Sequence, residues 1–385
     1  MDDLERRRAL GQFFTPLEVA RFVWEMLELL NGKKLAKGAR VIDPACGEGV
    51  FLHAALERGR GFKLFGADID ESLAPKWRAD ASLKDAKVAL TNGLVDDPKL
   101  GLVPESFDLV VGNPPFAGTG LKELLRLLTA RGRTTTIQPD LFDTPTTKTN
   151  PADPPILFPA ERARLDRLAR VLSAYDCWRF RRVSNDDLDA AEEGMFETES
   201  VVSKDVTESA YDRAARVIAE WPANQLLDVS QPELRGAVQR MAGIPIEAYF
   251  VERFVRLTKP GGLVAMIVPD SILSSDQYGP LRSWLLENVN LLAVVSLPHK
   301  VFSGVGAKVR TGIMFARRYS LKERQLVEAT PPSGVGTRFP KDFEKRETFM
   351  IMPSSSQAPE DWNLKEFLDD VQERVQKSVK YLAKE

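Results

Sequence analysis

The residues best suited to chemistry stand together as Asn113-Pro114-Pro115-Phe116. They follow Gly112 and a short apolar run, Phe107–Val111, that reads as a buried strand. Consecutive prolines remove backbone donors and restrict the chain before them. The Pro114 carbonyl is then left unpaired and fixed in direction, and the Asn113 side-chain carbonyl is a second acceptor beside it. Paired acceptors aimed at one point suit an NH2 group. Accepting its hydrogens localises a nitrogen lone pair that would otherwise be delocalised into an adjacent π system, which makes the nitrogen a nucleophile. Orientation and charge placement supply the rate in such a site, without a strong general base. Phe116 offers a flat face on which a planar substrate stacks.

A second chemical feature is Val41-Ile42-Asp43-Pro44-Ala45-Cys46-Gly47-Glu48-Gly49, between the first predicted strand, Arg40–Ile42, and the next helix. Gly47 and Gly49 let the backbone approach a ligand closely, so Asp43, Ala45, Gly47 and Gly49 are candidate contacts. The loop is not G-x-G-x-x-G, and Glu48 at the helix start would repel a pyrophosphate. An adenosine-bearing cation suits it better than a dinucleotide. The second strand, Lys63–Ala67, runs into Asp68-Ile69-Asp70. An acid at that strand end, Asp68, is placed to accept from ribose hydroxyls, while Asp70 reads as the cap of the next helix.

The elements that must position these residues alternate. A helix is predicted over Pro16–Leu30, with Thr15 as its cap. Strands Arg40–Ile42, Lys63–Ala67, Lys87–Leu90 and Phe107–Val111 follow, separated by helices and loops. The alternation resumes with helix Ile246–Leu257 and strand Leu263–Val268 after Lys259-Pro260-Gly261-Gly262, and then a helix near Gly279–Glu287. Leu292–Leu297 and Thr311–Ala316 have no long helix between them and read as an antiparallel edge. The expected fold is α/β, with about seven strands, mostly parallel with an antiparallel edge. Residues 1–117 and 241–330 form its domain. Residues 118–240 read as an insertion, with a Thr/Pro-rich linker over Thr134–Pro159 and helices at Glu161–Ala174 and Ser209–Glu220. Residues 331–385 read as a tail ending in an amphipathic helix, Leu364–Leu382, whose apolar side either docks a partner or packs on its own domain.

Composition narrows the function classes. At 385 residues the chain makes one large or two modest domains. Its net charge of −2 means that any nucleic-acid surface is a local patch or is shared with a partner. Two cysteines, Cys46 and Cys177, and two histidines, His53 and His299, are too few for a disulfide framework or a Cys/His zinc site, so no metal is expected. Neither cysteine follows the strand that bears Asn113, which argues against a cysteine-nucleophile mechanism there. The charged start and the lack of a long apolar run point to a cytoplasmic protein with no membrane segment.

Taken together, DPACGEG at 43–49, GADID at 66–70 and GNPPF at 112–116 resemble the N6-adenine DNA methyltransferases of the gamma arrangement. The order of blocks is most similar to the modification subunits of type I restriction-modification systems. Gly11-Gln12-Phe13-Phe14-Thr15-Pro16 precedes the glycine loop, and Leu257–Leu273 and the late Leu297-Pro298…Thr311-Gly312-Ile313-Met314-Phe315 follow. The resemblance implies a Rossmann-like class I S-adenosylmethionine-dependent methyltransferase fold and methyl transfer to a flipped-out adenine in DNA, in restriction-modification or related phage defence. It implies cofactor contacts from Phe14 and Thr15, and base stacking by Phe315 opposite Phe116. Where the family has an acid for the cofactor's adenine, this chain has Leu94, leaving Asn92 or Asp96 to substitute. Implied partners are DNA, a specificity subunit and a restriction or defence subunit.

Rival readings share the tetrapeptide. A protein glutamine N5-methyltransferase also acts on a planar NH2, and a catalytically weak scaffold would keep the fold alone. Backbone grip on DNA would come from Arg6-Arg7-Arg8, Arg131, Arg133 or Trp178-Arg179-Phe180-Arg181-Arg182. Gln138-Pro139-Asp140-Leu141-Phe142 resembles the peptide by which bacterial proteins bind the sliding clamp.

Overall fold

The computed structural model describes residues 15–116, 125, 128, 159–180, 209–298, 300–303, 310–329, 349–351 and 363–382. The chain forms two compact units: Met1–Ala117 with Phe250–Glu385, and Gly118–Tyr249. In chain order the main elements are α1 (Leu17–Leu30), β1 (Arg40–Asp43), α2 (Val50–Glu57), β2 (Lys63–Asp68), α3 (Ala74–Ala79), β3 (Lys87–Leu90) and β4 (Phe107–Gly112). Then come α4 (Pro159–Ser173), α5 (Ala210–Glu220), α6 (Pro232–Gly243) and α7 (Ile246–Leu257). The last are β5 (Thr258–Pro269), α8 (Gly279–Asn288), β6 (Val289–Leu297), β7 (Thr311–Arg318), β8 (Phe349–Ile351) and α9 (Leu364–Leu382).

The first unit is built on a sheet of eight strands in the order β3-β2-β1-β4-β5-β7-β6-β8. β3, β2, β1, β4 and β5 are parallel neighbours; β7 runs antiparallel between β5 and β6. This is a mixed, mostly parallel sheet, as expected, with an antiparallel strand near one edge. The strand beyond the predicted seven is β8, which adds to β6 in parallel. β5 is longer than expected because Lys259–Gly262 stays in the strand as an irregularity: Phe107 faces Thr258, but Leu109 already faces Leu263. Extra residues on one strand of a pair are absorbed as a bulge.

The central strands read as unbroken apolar runs because both faces are covered. On one face α1 and α2 pack with Val41, Leu109, Val111, Ala265 and Ile267 in a single core. α1 contributes Val19, Phe22, Val23, Trp24, Met26 and Leu27, all buried, and each large apolar side chain adds about 1.5–3 kcal/mol when fully buried. Leu368, Val371 and Val375 of α9 join the same core against α1. The apolar side of the C-terminal helix is therefore used within this unit rather than presented to a partner.

α1 begins one residue later than predicted. Pro16 is its cap residue, with its carbonyl accepting from the N–H groups of Val19 and Ala20, and no side chain caps it. Thr15, read as the cap from its residue type, has its hydroxyl engaged elsewhere.

The second unit holds α4, α5 and α6 together largely through arginines that donate to backbone carbonyls. Arg162 reaches Leu227 O at 2.7 Å, and Arg170 reaches Trp221 O at 3.0 Å and Gln225 O at 2.6 Å. Ser209 caps α5 by accepting from the Asp212 N–H. The Trp178–Phe180 stretch belongs to this scaffold. Trp178 is fully buried with its indole N–H on Ser173 O, and Arg179 pairs with Asp176 and Asp212. Arg240 donates to the Trp178 and Phe180 carbonyls and lies over the Tyr211 ring. These groups are occupied in packing, which corrects the reading of Trp178 and Arg179 as a nucleic-acid surface. Arg6–Arg8, Arg131, Arg133, Gln138–Phe142, Arg181 and Arg182 lie outside the described residues. Among the described residues, no helix is long and apolar enough to cross a membrane.

Candidate active site

β1 and β4 are parallel neighbours, with Val41 level with Leu109 and Ile42 with Val110. Their carboxyl ends therefore deliver Asp43 and Asn113 to the same edge of the sheet. Gly112 makes this approach possible: a Cβ there would lie 2.4 Å from Asp43 Oδ1. The glycine loop turns in front of these ends with Gly47 at φ +54° and Gly49 at φ +91°, a region costly for other residues. Gly49 then starts α2.

The loop is held by acids that accept from backbone. Asp68 Oδ2 accepts from Gly47 N at 2.9 Å, and Asp68 Oδ1 from Asp70 N at 3.0 Å. Asp43 Oδ1 accepts from Ala45 N at 3.1 Å. Burial pushes the Asp43 carboxyl up to about 8, opposed by the Ala45 N–H and reinforced by nearby Asp68. Burial likewise raises Asp68, against the N–H groups of Asp70 and Gly47. Asp70 accepts from Ser72 N at 2.9 Å and so caps the short turn Glu71–Leu73. Cys46 packs with its Sγ against Gly66, and burial pushes its thiol far above the ordinary range.

A cavity of about 440 Å³ opens at this edge. Of the predicted site residues, Thr15, Asp43, Ala45, Gly47 and Asn113 line it. Asn113 Nδ2 donates to Thr15 Oγ1 at 3.1 Å, which joins the tetrapeptide to the segment ahead of α1. Gly49, Asp68 and Asn92 are not among the lining residues. The Asn92 side chain turns back on its own backbone, accepting from Leu94 N at 3.0 Å. Asp96 pairs with Arg253 of α7 at 2.6 Å, and Arg253 also donates to Gly93 O. Leu94 is buried. Phe14 lies outside the described residues.

Phe116 and Phe315 are both fully buried. Phe315 sits on β7 between Ala265 of β5 and Ala293 of β6, whose small side chains leave room for its ring in the sheet's core. The structure thus packs Phe315 in the sheet's core, as buried as Phe116. Sequence reasoning missed the far wall of the cavity. It is formed by His53, Lys76 and Asp80, with Lys76 Nζ 2.5 Å from Glu48 and His53 Nε2 3.2 Å from Asp80. Trp77 adds a clamp from behind, its indole N–H on Gly47 O at 2.8 Å. No single local pattern announces these residues, because His53 stands on α2 while Lys76 and Asp80 come from α3 and its end. Beside Asp68, Ile69 is about half exposed, an apolar side chain left in solvent next to a candidate ribose acid.

Residues 4–139 match the N-6 DNA Methylase family model, and residues 226–302 match that of the Eco57I restriction-modification methylases. The amino-terminal region is thus similar to the N-6 DNA methylases. Curated relatives of this kind include the type II methyltransferase M.TthHB8I of Thermus thermophilus, 34% identical over 116 residues, 29% of this chain and 23% of that protein. The type I restriction enzyme MjaIX methylase subunit of Methanocaldococcus jannaschii is 27% identical over 115 residues, 28% of this chain and 19% of that protein. The matched stretch thus spans less than a quarter of either relative's length. Among solved structures, a class I S-adenosylmethionine-dependent methyltransferase from Listeria monocytogenes superposes with a TM-score of 0.46 at 16% identity, over 94% of this chain and 71% of that one.

Proposed function

We propose that this N-6 DNA methylase relative transfers a methyl group from S-adenosylmethionine to N6 of an adenine in DNA, as the modification component of a restriction-modification or related defence system. The observation that carries the reading is that Asn113 lines the same cavity as Asp43, Ala45 and Gly47. An acceptor for an NH2 group thereby stands beside a loop suited to an adenosine-bearing cation.

The residues present fit that cofactor. The Gly47 α-carbon faces open space, with nothing within 4 Å of a Cβ built there. Asp43 is a buried carboxyl whose neighbour in charge is another acid, so a cation in the cavity relieves it. Asp43, Ala45, Gly47 and Thr15 would hold the methionine end, Asp68 would serve the ribose, and Ile69 would give the adenine an apolar face. The cofactor supplies an electrophilic methyl. Asn113 and the Pro114 carbonyl hold the target NH2 and orient its lone pair, and no group of the chain need act as a strong base. Phe116, buried in the free protein, swings or is uncovered to stack on the target base. An adenine within a duplex must leave the stack to reach the site.

Expression of the protein and of Asn113→Ala in a host without adenine methylation tests this. Sequencing with modification-sensitive detection should find N6-methyladenine at a defined motif for the native chain. The variant should lose it by about 100-fold or more. Absence of the mark from native DNA, with neighbouring gene products supplied, would move the reading to a protein amide or to a scaffold.

A further inference from the structure

We infer that Thr15 is a positioning residue that sets the orientation of the Asn113 amide and couples it to cofactor occupancy. The inference rests on the methyltransferase reading above. Its observation is the bond from Asn113 Nδ2 to Thr15 Oγ1, 3.1 Å long between residues 98 positions apart.

Asn113 has little local help in fixing its side chain. Gly112 before it has no side chain, and Pro114 and Pro115 after it have no N–H. Its rotamer must be set from elsewhere. Thr15 is well placed to do so. Pro16 follows it with φ −58°, and α1 then anchors the segment through Val19, Ala20 and Val23, which are buried in the core. An amide carries its NH2 and its carbonyl on diverging arms of one planar group, so holding the nitrogen arm directs the oxygen arm.

A hydroxyl both donates and accepts, so by itself Thr15 tolerates either orientation of the amide. The tie is broken when the hydroxyl proton is spent on another acceptor. Thr15 lines the cavity proposed for the cofactor, and the cofactor carries a carboxylate. With its proton donated there, Thr15 offers Asn113 only lone pairs. The amide then presents Nδ2 to Thr15 and its carbonyl to the target amine, which has hydrogens to give. One hydroxyl thereby links the loaded cofactor site to the acceptor state of the target site.

Thr15→Val removes the hydroxyl at nearly constant shape, and Thr15→Ser keeps it. In the 15N-labelled full-length protein, the Asn113 side-chain NH2 signals are assigned by their loss in Asn113→Asp. With S-adenosylhomocysteine added, they should exchange slowly with solvent in the native protein and in Thr15→Ser, and rapidly in Thr15→Val. Single-turnover methyl transfer to unmethylated genomic DNA at saturating cofactor should fall about 10-fold in Thr15→Val. Its calorimetric affinity for S-adenosylhomocysteine should also fall, about 10-fold, the scale of one hydrogen bond to a charged carboxylate. An unchanged Asn113 signal in Thr15→Val overturns the inference. So does a lost cofactor affinity with an unchanged single-turnover rate, which makes Thr15 a cofactor contact alone. If the native protein methylates no DNA, the proposed substrate fails while the amide signals still decide the pairing.

Discussion

The two units bury carboxylates in opposite ways. In the second unit Asp166 is 3% exposed and fully matched: Arg170 Nε lies 2.8 Å from Oδ2, and Leu227 N donates to Oδ1 at 2.6 Å. Arg170 spends its remaining donors on carbonyls of the 221–225 loop. In the first unit Asp43 and Asp68 are just as buried, yet among the described residues only backbone N–H groups donate to them. An unmatched buried acid costs free energy, and a fold retains it where a ligand completes the site. The contrast separates a buried acid matched by an arginine from buried acids met by backbone N–H groups. The second unit has a cavity too, about 650 Å³, but its Arg170, Arg179 and Asp212 are already engaged with protein groups.

The largest test of this contrast is Arg170→Met. Removing one partner of a buried pair should lower the stability of the second unit by about 3–5 kcal/mol, seen as faster hydrogen exchange in α4 and α5. Unchanged exchange would mean that Asp166 is not dependent on its cation. Next comes Asp43→Asn, which should weaken S-adenosylmethionine binding about 10- to 100-fold in calorimetry if the carboxylate completes its charge on the cofactor.

The same residue sharpens the contrast through pH. The Asp43 carboxyl rises from an ordinary 3.8 to about 8 in the folded chain. Between those values the native state holds a proton that the unfolded chain has released. Stability of the cofactor-free protein should therefore decline as pH rises from about 4 to about 8, and Asp43→Asn should flatten that slope in thermal melts. Cofactor binding near neutral pH should release a proton, visible as a dependence of binding heat on the buffer. The smallest effect is expected from Trp77→Phe, which removes the bond to Gly47 O and should cost about 1 kcal/mol in thermal stability.

Much of the first unit was legible because its signals are local. Four short apolar runs, punctuated by Asp and Gly, marked β1 to β4 within a residue or so at each end. The strand order was less accessible. β7 lies between β5 and β6, so Leu292–Leu297 and Thr311–Ala316 do pair antiparallel, but β7 also closes onto β5. That choice depends on pairings across tens of residues. Trp178-Arg179-Phe180 shows the same limit. Interleaved aromatics and arginines look alike whether they face a nucleic acid or a neighbouring helix, and here Asp212 and Arg240 decide for the helix.

Residue types alone fixed the missing donors of the tetrapeptide and the turn of the glycine loop. Proline lacks an N–H, and glycine accepts left-handed backbone, wherever either stands. Tertiary structure alone decided which side chains meet. It turned Thr15 from a helix cap into the partner of Asn113 and closed Phe315 between two alanines. It also brought Asp43 to the wall of a cavity with, among the described residues, only a backbone donor. Such outcomes follow from the packing of elements distant in the chain, where burial strengthens every electrostatic choice.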